Sequence, residues 1–130
     1  MQWSGAAGAG FTDAPERAWL PIGDASARNV EAQRADPSST LRLCRDAIAL
    51  RRSQPSLRTG AYEPVAAPDG VWAWRRGTDV LVALNLSDAP ATVDDGDGVV
   101  ALSSDRAREG SVGRRLTLAA WEGVVVTAAG

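Results

Sequence analysis

Apolar residues follow different periods along this chain, and the change of period divides it into three segments. Residues 1–35 hold no apolar period beyond a few positions, and Gly and Pro interrupt them repeatedly. Residues 36–54 have a helical period, whereas residues 57–130 consist of short apolar runs separated by turn residues. The pattern predicts a mainly β protein, in which a long loop and one α-helix precede an antiparallel β-sandwich or Greek-key domain.

The segment 36–54 predicts a helix with a broad apolar face. Asp36 is a suitable N-cap, Pro37 suits the first helical turn, and Pro55 ends the pattern. One half of the helical cylinder carries most of its apolar side chains: Leu43, Cys44, Ala47, Ile48 and Leu50. Exposing such side chains costs roughly 1.5 to 3 kcal/mol each relative to burial. We therefore expect the loop, the β segment or a second copy of the chain to cover this 41–50 face.

Short apolar runs in the β segment predict about seven strands. The candidates are 62–67, 71–76, 80–86, 91–93, 99–102, 115–118 and 123–128. Turn-forming residues lie between them, as in Pro68-Asp69-Gly70. The run 80–86 is apolar at successive positions, which predicts a central strand that is buried on both faces.

The five tryptophans are candidates for stacking interactions. Trp72 and Trp74 flank Ala73 and therefore project from one face of a strand. On an exposed face they would offer a platform to sugar rings, and on a buried face they would fill the core. Because the chain has only one Phe and one Tyr, we expect the core role for both, and also for Trp121. Trp3 and Trp19 lie in the loop segment, where no local core is evident, and are stronger candidates for contact with another domain.

Composition excludes several kinds of chemistry. The chain contains no His, which excludes His-based triads and His-based metal sites within it. The acidic cluster at residues 94–97 does not match a calcium loop, because Val99 stands where a further oxygen ligand is required. We expect a solvated hairpin there, and neither a metal nor a cofactor.

Charge and cysteine content limit the partners and the compartment. The 14 basic residues are all Arg and are scattered, and the net charge is −2, so we expect no nucleic-acid partner. Cys44 is the only cysteine, which excludes an intrachain disulfide and favours the cytoplasm. No apolar stretch approaches the roughly 18 residues of a membrane helix, so we expect no membrane association.

Motifs along almost the whole chain resemble, in order and spacing, the late part of α-glucosidases in glycoside hydrolase family 13. In the loop and helix segments the matching stretches are 1–5, 9–12, 18–22, 29–33, 36–39 and 48–52. Beyond the helix they are Pro55, Leu57, Gly60 and Tyr62, then 82–87 and 118–126 with Trp121-Glu122. Oligo-1,6-glucosidases and trehalose synthases are the subgroups that the chain most resembles.

The resemblance implies a role for each segment. Residues 1–35 would be the loop after the eighth strand of a (β/α)₈ barrel, 36–54 the last barrel helix, and 57–130 the all-β C-terminal domain. The Asp, Glu and Asp that act in catalysis lie upstream in this family, so no residue of this chain is expected to be catalytic. Gln2, Trp3 and Phe11 would border the substrate cleft or simply pack against the barrel.

The resemblance also implies partners and an activity. The main partner would be the N-terminal catalytic barrel, from the same gene or from a split one, and α-glucoside oligosaccharides would bind through it. We expect the chain alone to be an inactive C-terminal fragment that supports the barrel. Two alternatives remain: a carbohydrate-binding β-sandwich module that uses Trp72 and Trp74, and a structural module without a ligand. Under each of these functions, self-association through the 41–50 face is a further candidate interaction.

Overall fold

The computed structural model describes residues 1–108 and 110–129, which form two units, Met1–Arg45 and Asp46–Gly130. The first unit contains a 3₁₀ helix, Pro15–Arg17, and the helix α1, Val30–Ala35. The sequence pattern predicted a loop over the whole segment 1–35, but the segment contains these two helices. The reason is local: Asn29 is buried, and its side-chain oxygen accepts a hydrogen bond from the Ala32 amide at 2.8 Å, which caps α1.

The helix α2, Thr40–Ser53, begins four residues after the predicted N-cap, Asp36. The Asp36 carboxylate instead accepts hydrogen bonds from the amide and the hydroxyl of Ser38, at 2.8 and 2.6 Å. Such a local turn competes with helix formation, and the Ser39 hydroxyl accepts from the Arg42 amide in its place. The helix α2 ends at Ser53, before Pro55 as predicted, and Pro55 then begins a third helix, α3, Pro55–Thr59. The sequence predicted only one of these helices.

The described residues of the second unit form eight β-strands. They are β1 (Tyr62–Pro64), β2 (Val71–Arg76), β3 (Val80–Asn85), β4 (Ala91–Val93), β5 (Gly98–Ser103), β6 (Ser111–Val112), β7 (Leu116–Leu118) and β8 (Gly123–Thr127). Seven coincide with predicted strands within a few residues, and the two-residue β6 was not predicted. The mainly antiparallel β fold that the sequence predicts is confirmed.

The strands form two antiparallel sheets. The larger sheet has the order β1-β2-β3-β8-β5-β6, and β4 pairs with β7 in a separate two-stranded sheet. The strand β3 lies between β2 and β8, as its apolar sequence predicted. Its neighbours Val80 and Leu81 point to opposite faces and are both buried.

The core of the second unit lies between the two sheets. The small sheet contributes Val93, Leu116 and Leu118, each at most 1% exposed. The large sheet contributes Ala73, Leu81, Ala83, Val124 and Val126. The Ala side chains of the adjacent strands β2 and β3 are paired across the register and are small. The side chains that fill the space between the sheets therefore come mainly from β4, β7 and β8.

Truncation of a core leucine tests this packing. Leu118→Ala should lower the free energy of unfolding by about 2–5 kcal/mol, because it leaves a cavity between the sheets. Leu86→Ala removes the same atoms from a side chain that is 57% exposed, and should cost less than about 1 kcal/mol. Urea unfolding of the two variants measures the difference. Equal losses would contradict the assignment of Leu118 to the core.

Candidate functional site

Three aromatic rings meet on the outer face of the large sheet, opposite the core. Trp72 and Trp74 of β2 have ring centroids 4.6 Å apart at an interplanar angle of 41°. Tyr62 of β1 lies 6.3 Å from Trp74 at 33°. The Trp72 indole Nε1 also donates a hydrogen bond to the Tyr62 hydroxyl at 3.3 Å. We call these three residues the aromatic cluster.

The aromatic cluster is open to solvent, so the expected core role of Trp72 and Trp74 was wrong. Trp72 is 52% exposed and Tyr62 is 49% exposed, while Trp74 is half-buried. The side chain of β2 that reaches the core is Ala73, which is 3% exposed. The two-stranded sheet fills the space above Ala73 with Leu and Val side chains, which leaves no room there for indole rings.

Trp121 is also exposed, against the expectation that it would fill the core. Its side chain is 66% exposed, and its backbone adopts a φ of +59°, in the left-handed region that bulky residues rarely occupy. The Trp121 amide donates to the Ser87 carbonyl oxygen at 3.1 Å. The turn before β8 thus holds an exposed indole on a strained backbone, and its neighbours have to hold that turn in place.

The buried carboxylate of Glu122 is one of the groups that hold this turn. Its oxygens accept hydrogen bonds from the Ala119 amide at 2.8 Å, from Arg108 Nη1 at 2.7 Å and from the Ser103 hydroxyl at 3.1 Å. Burial alone would raise the pKa of Glu122. The bonds from Arg108, Ala119 and Ser103 outweigh that effect and hold its pKa below the ordinary range.

The buried amide of Asn85 holds the same turn from the other side. Its Nδ2 donates to the carbonyl oxygens of Ala89 and Ala119, each at 2.8 Å, and its Oδ1 accepts from the hydroxyl of Ser87 at 2.7 Å. Both Asn85 and Glu122 stand in stretches that resemble the family, yet sequence reasoning gave neither of them a role. A polar residue that ends an apolar run is the signal that could have found Asn85.

The lowered pKa of Glu122 predicts a stability difference that depends on pH. Glu122→Gln removes the charge that binds Arg108 and should lower the free energy of unfolding by about 1–3 kcal/mol near neutral pH. Because the folded pKa lies below the unfolded value of about 4.3, this contribution is complete above pH 4.3 and disappears as the pH falls through the folded pKa.

Urea unfolding at pH 7 and pH 3 of the unaltered chain and of Glu122→Gln measures the effect. Glu63→Gln is a matched control, because Glu63 is exposed on β1. The gap between the chain and Glu122→Gln should narrow at pH 3, whereas Glu63→Gln should follow the unaltered chain. An equal gap at both pH values would contradict the role of the charge.

The predicted cleft residues lie in the first unit, and two of them line one cavity. Gln2 and Phe11 border an apolar cavity of about 420 Å³, together with Met1, Trp19 and neighbouring residues. With its amide oriented to satisfy both partners, Gln2 donates to the Arg28 carbonyl oxygen at 2.8 Å and accepts from the Gly23 amide at 3.3 Å. Trp3 is 48% exposed and is not among the residues that line this cavity.

The acidic hairpin before β5 is engaged in ion pairs. Asp95 bonds Arg75 Nε at 2.7 Å, and Asp94 lies 3.4 Å from Arg115 Nε. Among the residues that the structure describes, no group of three or more His, Cys, Asp or Glu side chains could hold a metal ion. In the same part of the chain, no helix is both long enough and apolar enough to cross a bilayer.

The apolar face of α2 is not covered in the way that the sequence led us to expect. No residue of α2 is buried, Ile48 is 52% exposed, and Leu43 and Leu50 are only half-buried. Arg51 turns back to donate from Nη1 to the Leu57 carbonyl oxygen of α3 at 3.2 Å, which keeps its charge at the end of the helix.

The geometry of the second unit defines a small two-sheet β-domain, with exposed aromatic side chains and a buried carboxylate that bonds to Arg108 and to its own loop backbone. A family model described as "Domain of unknown function (DUF3459)" matches residues 58–125, which is just over half of the chain. The chain therefore belongs to the DUF3459 family, the C-terminal domain of glycoside hydrolase family 13 enzymes.

Curated relatives agree with this family and are much longer. Trehalose-6-phosphate hydrolase of Escherichia coli is 39% identical over an alignment of 92 positions, which covers 67% of this chain and 16% of that protein. Trehalose synthase/amylase TreS of Mycobacterium tuberculosis is 35% identical over an alignment of 107 positions, which covers 72% of this chain and 18% of that protein. Amino acid transporter heavy chain SLC3A1 of the mouse is 31% identical over 97% of this chain and 21% of its own length.

Solved structures show the same relation. The trehalulose synthase MutB of Pseudomonas mesoacidophila matches 97% of this chain with a TM-score of 0.80 and 26% identity, and the match covers 24% of that enzyme. The isomaltulose synthase PalI of a Klebsiella strain matches 98% of this chain with a TM-score of 0.79 and 25% identity. This chain spans about a quarter of each of these enzymes and corresponds to a C-terminal portion of them. The family resemblance that the sequence indicated is confirmed.

Proposed function

We propose that this chain is the supporting C-terminal portion of a cytoplasmic enzyme of the α-glucosidase type and has no catalytic activity by itself. In this proposal the catalytic barrel supplies the reacting carboxylates and binds the α-glucoside oligosaccharide. Segments 1–35 and 36–54 are then the last loop and the last helix of that barrel, and segment 57–130 is the domain that stabilises it.

The observation that carries this proposal is the exposed apolar face of α2. Isolated helices of this length are marginal in water, and helices in proteins are stabilised mainly by packing of their apolar face. On this face Ile48 is 52% exposed, Cys44 is exposed, and Leu43 and Leu50 are only partly buried in this chain. A barrel that packs on this face would supply the missing burial.

The first unit supports the proposal independently. It exposes five large apolar side chains, Met1, Trp3, Phe11, Trp19 and Leu20, and Trp19 is 92% exposed. Among its apolar residues only Ala9 and Ala25 are buried. A segment that buries only two alanines has too little core of its own to be stable alone, so contact with a larger scaffold accounts for its composition.

Contacts within the second unit connect the second half of α2, and α3, to the β-sandwich. Asp46 of α2 forms an ion pair with Arg106, which lies in the connection after β5. The Ser56 hydroxyl of α3 donates to the Asp79 carboxylate, and Arg76 Nε donates to the Ser56 carbonyl oxygen at 3.5 Å. The second half of α2 and α3 are thus fixed to the sheet, so a barrel that packs on α2 is also held against the sandwich.

A chimera tests the proposal. The C-terminal portion of Escherichia coli trehalose-6-phosphate hydrolase that corresponds to this chain is replaced by residues 1–130, and hydrolysis of a chromogenic α-glucoside 6-phosphate is measured. We expect turnover by the chimera and none by the chain alone. Ile48→Asp in the chimera should lower the melting temperature and the yield of active enzyme, because it places a charge in the barrel interface.

Arg52→Asp is the matched control, because Arg52 is exposed on the same helix and outside the apolar face. It should leave the melting temperature of the chimera within a few degrees of the parent chimera. Turnover by the purified 130-residue chain would contradict the proposal. Equal effects of the two Asp substitutions would also contradict it.

Sedimentation of the chain alone separates this role from a self-associating structural module. If the α2 face serves to join two copies, the chain sediments as a dimer, and Ile48→Asp converts it to a monomer. Under the proposed function the chain is a monomer whose α2 face binds a hydrophobic dye, and Ile48→Asp weakens that binding. A stable dimer would therefore favour the structural module.

A further inference from the structure

We propose that Asp69, in the turn before β2, is a site of spontaneous isomerisation to isoaspartate, and that the fold protects the two other Asp-Gly pairs, Asp95-Gly96 and Asp97-Gly98. This modification site goes beyond the supporting role proposed above and does not depend on it. Hydrogen bonds within the second unit distinguish the three pairs. The turn at residues 66–70 carries no large apolar side chain that a barrel would cover.

An Asp-Gly pair isomerises through a cyclic imide. The glycine amide nitrogen attacks Cγ of the protonated Asp carboxyl, the N–H proton leaves, and one water molecule is expelled. Water then opens the succinimide ring. Attack at Cγ restores aspartate, whereas attack at the main-chain carbonyl carbon breaks its bond to the glycine nitrogen, so that the chain runs through Cβ and Cγ and the α-carboxylate is free. One water is lost and one is regained, so no other reactant is required.

Ring closure requires a carboxyl group and a following amide that are both free to approach each other. Asp69 and Gly70 are exposed in a turn that the Val71 amide closes by donating to the Pro68 carbonyl oxygen at 3.0 Å. Gly70 has a φ of +81°, which glycine adopts without strain. Among the residues that the structure describes, neither the Asp69 carboxyl nor the Gly70 amide has a hydrogen-bond partner. Both requirements are therefore met at this pair.

The pair Asp95-Gly96 meets neither requirement. The Asp95 carboxylate accepts a hydrogen bond from Arg75 Nε at 2.7 Å, and the Asp95 carbonyl oxygen accepts one from Arg75 Nη2 at 3.2 Å. The Gly96 amide donates to the Arg114 carbonyl oxygen at 2.7 Å. Both the ion pair and this backbone bond would have to break before the ring could close, so isomerisation needs local opening of the hairpin.

The pair Asp97-Gly98 has an exposed carboxylate but an immobile amide. Gly98 is buried and begins β5, and a Cβ added to it would lie 2.2 Å from the Thr127 carbonyl oxygen of β8. The Asp97 amide donates to the Gly113 carbonyl oxygen at 3.0 Å. The Gly98 nitrogen cannot swing toward the carboxyl without separating β5 from β8, so this pair is protected as well.

Isomerisation at Asp69 would alter the hydrogen bonds around its turn. The isoaspartyl linkage adds one carbon atom to the backbone between Pro68 and Gly70. The Gly70 carbonyl oxygen accepts from the Leu86 amide at 2.8 Å, which links the start of β2 to the end of β3. We expect this bond to weaken in the isomerised chain, so that the Leu86 amide exchanges with solvent faster than in the unaltered chain.

The experiment compares the three pairs in the folded chain and in the chain unfolded in urea. Both samples are incubated at pH 6, where a fraction of carboxyl groups is still protonated. Trypsin separates Asp69 from Asp95 and Asp97, because Arg75 and Arg76 lie between them. Electron-transfer fragmentation then locates isoaspartate. In the folded chain Asp69 should react within about threefold of its rate in urea, and the other two at least about tenfold more slowly than in urea.

Two variants locate the chemistry. Asp69→Glu keeps the charge but would have to form a six-membered ring, so isomerisation in this turn should cease. Arg75→Gln releases the Asp95 carboxylate and should raise isomerisation at Asp95 at least about threefold, while the rate at Asp69 stays unchanged. Should Arg75→Gln fail to fold, the comparison of the folded and unfolded unaltered chain still decides the question.

Three results would overturn the proposal. They are equal rates at Asp69 and Asp95 in the folded chain, a rate at Asp69 that is at least about tenfold lower in the folded chain than in urea, and an unchanged rate at Asp95 in folded Arg75→Gln. An inactive chimera leaves all of these measurements on the chain unaffected. Failure of the proposed function can therefore be distinguished from failure of this inference.

Discussion

The second unit depends on the contact between a two-stranded sheet and one face of a six-stranded sheet. The two Ala side chains on β2 and β3 leave space above the large sheet, and Leu116 and Leu118 fill that space from β7. This contact determines the direction of the other residues on those strands. Once Ala73 occupies the inner face, alternation along β2 sends both neighbouring tryptophans outward. The aromatic cluster is thus a consequence of how the core is filled.

Two buried polar side chains complete the sandwich where apolar packing stops. Asn85 ends β3 and Glu122 precedes β8, and together they satisfy the backbone of the loops that join the sheets. The cost of burying them is offset by hydrogen bonds to nearly every available polar atom, including the guanidinium of Arg108. These bonds also hold Trp121 in a left-handed conformation, although its indole is 66% exposed and packs little against the fold.

The sequence predicted the strands well, because alternation and turn residues are local signals. It failed where two local hydrogen-bonding patterns compete, and where the core-facing side of a strand had to be identified. Asp36 can cap a helix or close a turn with Ser38, and only the backbone decides between them. Alternation shows that Trp72 and Trp74 share a face, but it does not show which face meets the core. The small residues Ala73 and Ala83 were the signal that their side of the sheet meets the core. The two-residue β6 is too short to leave any pattern.

The first unit and α2 show what the chain lacks by itself. Their large apolar residues are exposed while their backbone is locally well bonded, which is the condition of a segment that packs on a larger scaffold. Amide hydrogen exchange of α2, compared between the chain alone and the chimera with a barrel, tests this account most directly. The account predicts exchange at Ala47–Leu50 at least about tenfold slower in the chimera, because the barrel buries that face. Equal exchange rates in the two proteins would contradict it.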